Sequence, residues 1–273
     1  MRTVINTLAA VAVLALPSAA AASEGGVGDL LVAPTRIVLD GRKGAEVVLS
    51  NIGNEPASYR ISVELRRMAE DGTLQDVAEP TDRDQVAEDM IIYHPRRVDL
   101  APRTPQIIRI AARPGPNIPD GEYRVHMLFR AIPPAIPVTD QPAEKGKGLS
   151  FELIPVYGVT IPVIVRLGNL QVKAGIDDIR LESKDGKQTV GLDLNRSGDR
   201  STYGEVRVFK AGVKDPIAIQ RGVAVYTELS KRHVSIPVSD EFKGDPRGPV
   251  TVQYVETFGD GTNTIAEQKA VLR

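Results

Sequence analysis

Apolar and polar residues alternate with a period of two along much of the chain. From Ala57 to Arg67, Tyr59, Ile61, Val63 and Leu65 are apolar, while Ser58, Arg60, Ser62, Glu64 and Arg66 fall between them. Such alternation marks a half-buried β-strand, because successive side chains of a strand point to opposite faces. In GEYRVHMLFRAI, Tyr123, Val125, Met127, Phe129 and Ala131 form a second apolar face. Strands are also predicted at Glu46–Ser50, Ile91–Leu100 and Gln106–Ala112, and along the run Phe151–Arg166. After Leu167-Gly168-Asn169 come Thr189–Leu194, Gly204–Phe209, Ile217–Tyr226, His233–Val238, Val250–Thr257 and Thr264–Val271. No segment holds a 3.6-residue period over three turns, and the 20 Pro and 24 Gly fall mostly between strands. The pattern is all-β, and many short strands separated by turn signals favour sandwiches.

The connection around Gly168 divides the pattern into two stretches of seven or so strands each, predicting β-sandwich domains over 29–167 and 169–273. Residues 1–22 have the character of a secretory signal. Arg2 is basic, Leu8 to Leu16 are apolar, and small residues follow Pro17 up to a cleavage point near Ala22. No later apolar run approaches the ~20 residues of a membrane span, so the mature protein is expected to be exported with no membrane span. The chain has no Cys, so an exported fold must be held by its core. A net charge of −1 argues against a nucleic-acid partner. Two insertions stand out: the acidic stretch Ala69–Asp89 and the stretch Pro133–Leu149, rich in Pro, Gly and Lys. Both are read as exposed loops.

Candidate chemistry is sparse. His94, His126 and His233 lie far apart in different strands; His126 and His233 take the polar parity of theirs, and all three are read as surface residues. No spacing suggests a metal site, and no cofactor is implied. Asp177-Asp178 is read as a solvated strand edge, and GDGTN at Gly259–Asn263 as a hairpin turn. There is neither a Gly-rich phosphate loop before a helix nor a Gly-x-Ser-x-Gly elbow, so no catalytic residue is assigned and an enzyme is not expected.

One residue breaks the pattern. In LLVAPTRIVLDG, Arg36 stands within what reads as a largely buried strand running into a turn at Asp40-Gly41. A desolvated guanidinium requires an anion. An internal salt bridge, for instance with Glu122, is one source.

Three stretches, in this order behind the signal-like segment, resemble the PapD-like periplasmic pilus chaperones. They are APTRIVLDG followed by EVVLSN, then HPRRVDLAPRTPQIIRI, then PDGEYRVHMLFRAIPP. The resemblance implies two Ig-like domains in a boomerang arrangement around a cleft, and a periplasmic location. It implies a chaperone that lends the last strand of its first domain to a pilus or fimbrial subunit lacking one, then delivers that subunit to an outer-membrane usher. The chaperone would be a monomer when bound to its client. Arg36 resembles the family's cleft arginine, which anchors the subunit's C-terminal carboxylate. Arg166 with Glu122, and with Glu256, resembles the ion network between domains. Phe151, Leu153, Tyr157 and Val159 share one parity of the long strand and would either fill the client's groove or pack as ordinary core. At the family's second anchor position, four residues before Arg166, this chain has Pro162, which has neither charge nor N–H. The rival expectation is a secreted structural β-sandwich such as a pilus subunit.

Overall fold

The computed structural model describes residues 29–133, 156–184, 186–258 and 261–273. The signal-like segment, nearly all of the insertion Pro133–Leu149, and Phe151 and Leu153 lie outside them. The described chain is predominantly β, in two sheet-rich regions consistent with Ig-like domains. Among the described residues no helix is long and apolar enough to cross a membrane.

The first region contains β1 (Leu30–Ala33), β2 (Ile37–Leu39), β3 (Ala45–Asn51), β4 (Ala57–Glu64), β5 (Arg66–Met68), β6 (Leu74–Asp76), α1 (Asp82–Asp89), β7 (Ile91–His94), β8 (Arg97–Leu100), β9 (Pro105–Ala112), β10 (Gly121–Ile132) and β11 (Gly158–Leu167). A four-stranded sheet, β1-β3-β9-β7, faces a five-stranded sheet, β2-β11-β10-β4-β8. Between them lie Leu49, Ile108, Met127 and Phe129, all fully buried. Burying each such side chain contributes about 1.5–3 kcal/mol. The second region contains β12 (Val172–Lys184), β13 (Lys187–Gly198), β14 (Thr202–Lys210), β15 (Ala218–Val225), β16 (Lys231–Pro237), β17 (Gly248–Phe258) and β18 (Gly261–Leu272). Its sheets, β12-β13-β16 and β15-β14-β17-β18, enclose a separate core around Leu192, Leu194, Val208 and Tyr254. Gly168 lies just beyond β11 at φ 82°, where an added Cβ would stand 2.0 Å from an Asp120 carboxylate oxygen. Only glycine accommodates that turn.

Several expectations need correction. Leu30–Leu39 is two strands, with Arg36 in the gap between them. The chain passes there from one sheet to the other, beside Pro34, which cannot donate to a ladder. The predicted strand Ile91–Leu100 divides in the same way at Pro95. β12 escaped the pattern because a bulge between Asp177 and Arg180 shifts its register and reverses the alternation of Ala174 and Ile176 against Ile179 and Leu181. The acidic insertion is built, not loose. Its acidic side chains are largely exposed, but it holds β6, paired with β5 just ahead of it, and α1 with buried Ala87, and it is flanked by buried Met68 and Met90. Thr81 caps α1 reciprocally with Asp84, a capping signal legible in Thr81-Asp82-Arg83-Asp84.

Candidate functional site

The sheet β2-β11-β10-β4-β8 has two faces. Odd-numbered residues of β10 and β11 (Tyr123, Val125, Met127 and Phe129; Ile161, Val163 and Val165) enter the first core. Even-numbered residues would be the wet face of an isolated sandwich. Here the second region covers the lower part of that face, which becomes a buried polar junction.

Glu122 of β10 stands at its centre, with a fully buried side chain. Its Oε2 accepts from Arg166 Nε at 2.9 Å and from the backbone N–H and hydroxyl of Ser201, each at 3.0 Å. Arg166 also donates to the Ser201 carbonyl at 3.2 Å. The first region is thus joined to the strand end just ahead of β14. Glu256 takes part from the second region only, accepting from Arg200 at 3.1 and 3.2 Å and from the Tyr203 N–H at 3.2 Å. Its partner is Arg200, which the sequence reading did not single out.

Arg36 adjoins this junction. Its Nη2 lies 3.4 Å from the Ser201 hydroxyl, and its guanidinium carbon lies 4.4 Å above the Tyr203 ring. Nη1 is buried and has no hydrogen-bond partner among the described residues. Glu122, the internal carboxylate weighed for it, gives its Oε2 to Arg166 and Ser201, while its Oε1, also buried, has no hydrogen-bond partner among the described residues. Burial pulls the Arg36 pKa below its ordinary value, opposed by nearby Tyr226 and Glu122 and reinforced by Arg166. Among the described residues Nη1 therefore keeps its two N–H donors unused.

Beside Arg36 runs β11. It pairs with β10 throughout Gly158–Leu167, but with β2 only at Val163–Val165. The outer edge of Gly158–Pro162 has no strand partner among the described residues. Just ahead of it, Val156 and Tyr157 are 41% and 57% exposed. Val159 packs against the first core. Pro162 lies opposite His126.

His126 overturns its surface assignment. It is on the polar parity, as expected, but only 1% exposed, because that face is covered by Tyr226. Neither ring nitrogen has a partner among the described residues. Burial, with Arg124 and Arg66 nearby, pushes its pKa down from 6.5 to about 3. The unfolded chain takes up a proton below its ordinary pKa and the folded chain does not, so this contribution to stability is complete above pH 6.5 and is lost progressively towards pH 3. His126→Phe, which keeps an edge-on ring against Tyr226, should flatten the fall in unfolding free energy, measured by urea denaturation, across that window by up to about a few kcal/mol. Equal pH slopes in the two proteins would refute the assignment. His94 is exposed, and His233 is partly exposed with its Nδ1 3.0 Å from Asp193. No group of three or more His, Asp or Glu among the described residues could hold a metal.

No protein-family model matches the chain, and no curated protein matches it. Solved structures do. The Pseudomonas aeruginosa CupB2 chaperone is 14% identical with a TM-score of 0.46, over 89% of this chain and 100% of that one. The E. coli chaperone DraB is 16% identical with a TM-score of 0.44, over 89% and 96%. The CsuC-CsuE chaperone-tip adhesion subunit complex, from the archaic chaperone-usher Csu pili of Acinetobacter baumannii, is matched at 12% identity and a TM-score of 0.44, over 89% of this chain and 99% of that one. At these TM-scores the likenesses carry no weight in assigning a function.

Proposed function

We propose that the protein is a PapD-like periplasmic chaperone for pilus or fimbrial subunits, working by donor-strand complementation and passing its client to an outer-membrane usher. In this reading residues 29–167 and 169–273 are two Ig-like domains in a boomerang arrangement, and Arg36 lies at the base of the cleft between them. The observation that carries the reading is the buried Nη1 of Arg36 at the junction, without a partner among the described residues, beside a strand edge that among those residues is free at Gly158–Pro162. A planar guanidinium with Nη1 unused and Nη2 held only by a 3.4 Å contact to Ser201 suits a bidentate carboxylate, such as a chain terminus. A free, partly apolar edge suits an added strand, whose main chain supplies affinity while alternate side chains supply selectivity. The two features adjoin, so one extended peptide could use both.

The test is native mass spectrometry of the full chain recovered from the periplasm of a pilus-bearing host. One copy carrying one smaller β-rich subunit is the expected result. Polymers of the chain itself would mark it as a structural subunit and overturn the proposal.

A further inference from the structure

The hairpin β5–β6, which opens the acidic insertion, does not stop at the first region. Met68 at the end of β5 is buried in a small cluster of its own with Ile164, Ala224 and Tyr226, separate from both main cores. The Met68 N–H donates to Glu228 Oε1 at 2.9 Å. Glu228, in the turn between β15 and β16, is gripped in turn by Arg124 of β10, with contacts of 2.9 and 2.6 Å. Arg124 also donates to the Arg66 carbonyl at 2.9 Å, and its guanidinium carbon lies 3.7 Å above the Tyr226 ring. Beyond Met68 the chain turns at Glu70–Gly72, and the Glu70 carbonyl accepts from the His233 N–H at 2.7 Å. Among the described residues β16 is the outer strand of its sheet, paired only with β13. The hairpin thus caps an edge of the second region with a main-chain hydrogen bond. Gly72 lies at φ 86°, a backbone conformation that favours glycine, and faces the Arg232 guanidinium.

We propose that the hairpin β5–β6, with Arg124 and Glu228, is a latch that sets the orientation of the two regions, independent of the Glu122–Arg166–Ser201 junction. The two sets of contacts lie on different elements of the second region: Ser201 precedes β14, whereas Glu228 and His233 belong to the turn before β16 and to β16 itself. A single point of attachment leaves a hinge about itself, and two separated ones remove it. The latch would hold Tyr203 over Arg36 and so position the guanidinium without touching what it binds. That last consequence rests on the function proposed above; the latch itself does not.

The chain has no Cys, so Ile52→Cys and Val271→Cys, at exposed positions in the two regions, create a unique pair for spin labels. The free protein should give one narrow distance by pulsed electron spin resonance. Replacing Arg66–Asp76 with a Gly-Ser linker should broaden or split it, with circular dichroism unchanged. Should that variant not fold, Met68→Ser with Glu228→Gln, which alters only two side chains, takes its place. Exchange of the His233 amide should accelerate at least about tenfold in the same variants, because its acceptor has left. A folded variant with an unchanged distance distribution and an unchanged His233 amide would overturn the latch. No client is present in either measurement, so failure here is distinct from failure of the chaperone assignment.

Discussion

Arg36→Ala should leave a folded protein that no longer retains a client. In the free chain the side chain makes one long contact to Ser201 and stacks on Tyr203. A partly exposed cation–π pair contributes about 0.5–1 kcal/mol, so the unfolding midpoint should shift only slightly. Truncating one partner of a hydrogen-bonded charge pair across an interface costs about 2–5 kcal/mol, which would weaken client binding by roughly thirtyfold to several thousandfold. Arg36→Lys should recover only part of the loss, since an ammonium keeps the charge but not the fork. The measurement is client affinity by calorimetry beside urea unfolding of the free variants. Unchanged affinity would remove Arg36 from the binding site. A large loss of stability with affinity preserved in the folded fraction would make it an internal structural residue.

The strands legible in the sequence were those whose alternation ran unbroken. β10 is the clearest, with Tyr123, Val125, Met127 and Phe129 all in the first core. β12 was hidden because one bulge moves its apolar residues to the other parity, and α1 because eight residues are too few to establish a helical period. Pro34 and Pro95 were visible, but not the passage between sheets beside each, which depends on the partners the strands find. His126 shows the deeper limit. Parity correctly places it opposite Phe129, but says nothing of what covers that face. The same holds for Arg124, on the parity of His126, whose partner Glu228 arrives from 104 positions away. For Arg36 the sequence could pose the question of its anion. Only the geometry shows that Glu122 Oε2 is engaged by Arg166 and Ser201.

The largest effect is expected from the strand itself. If β11 and the residues leading into it are lent to a client, the apolar set Phe151, Leu153, Tyr157 and Val159 divides by what each would lose. Val159 packs against the first core, so truncating it would mix chaperone stability with client binding. Tyr157 is 57% exposed, and its carbonyl is held by the Ala131 N–H at 2.9 Å. Its backbone is fixed while its side chain remains free, which suits a group meant for a partner's groove. Each large side chain newly buried on binding contributes about 1.5–3 kcal/mol, so Tyr157→Ser combined with Leu153→Ser should weaken client affinity about a hundredfold or more. Phe151→Ser combined with Tyr157→Ser should behave alike. Changes at Glu152 and Thr160, on the opposite parity, should do much less. Main-chain pairing should register separately, as slower amide exchange within Val156–Thr160 when client is bound, because an added strand would take up the free edge of Gly158–Pro162. If both double variants bind client as the parent does, the apolar parity is not what the client reads. If exchange in that segment is the same with and without client, no strand is being added there and donation is excluded as the mechanism.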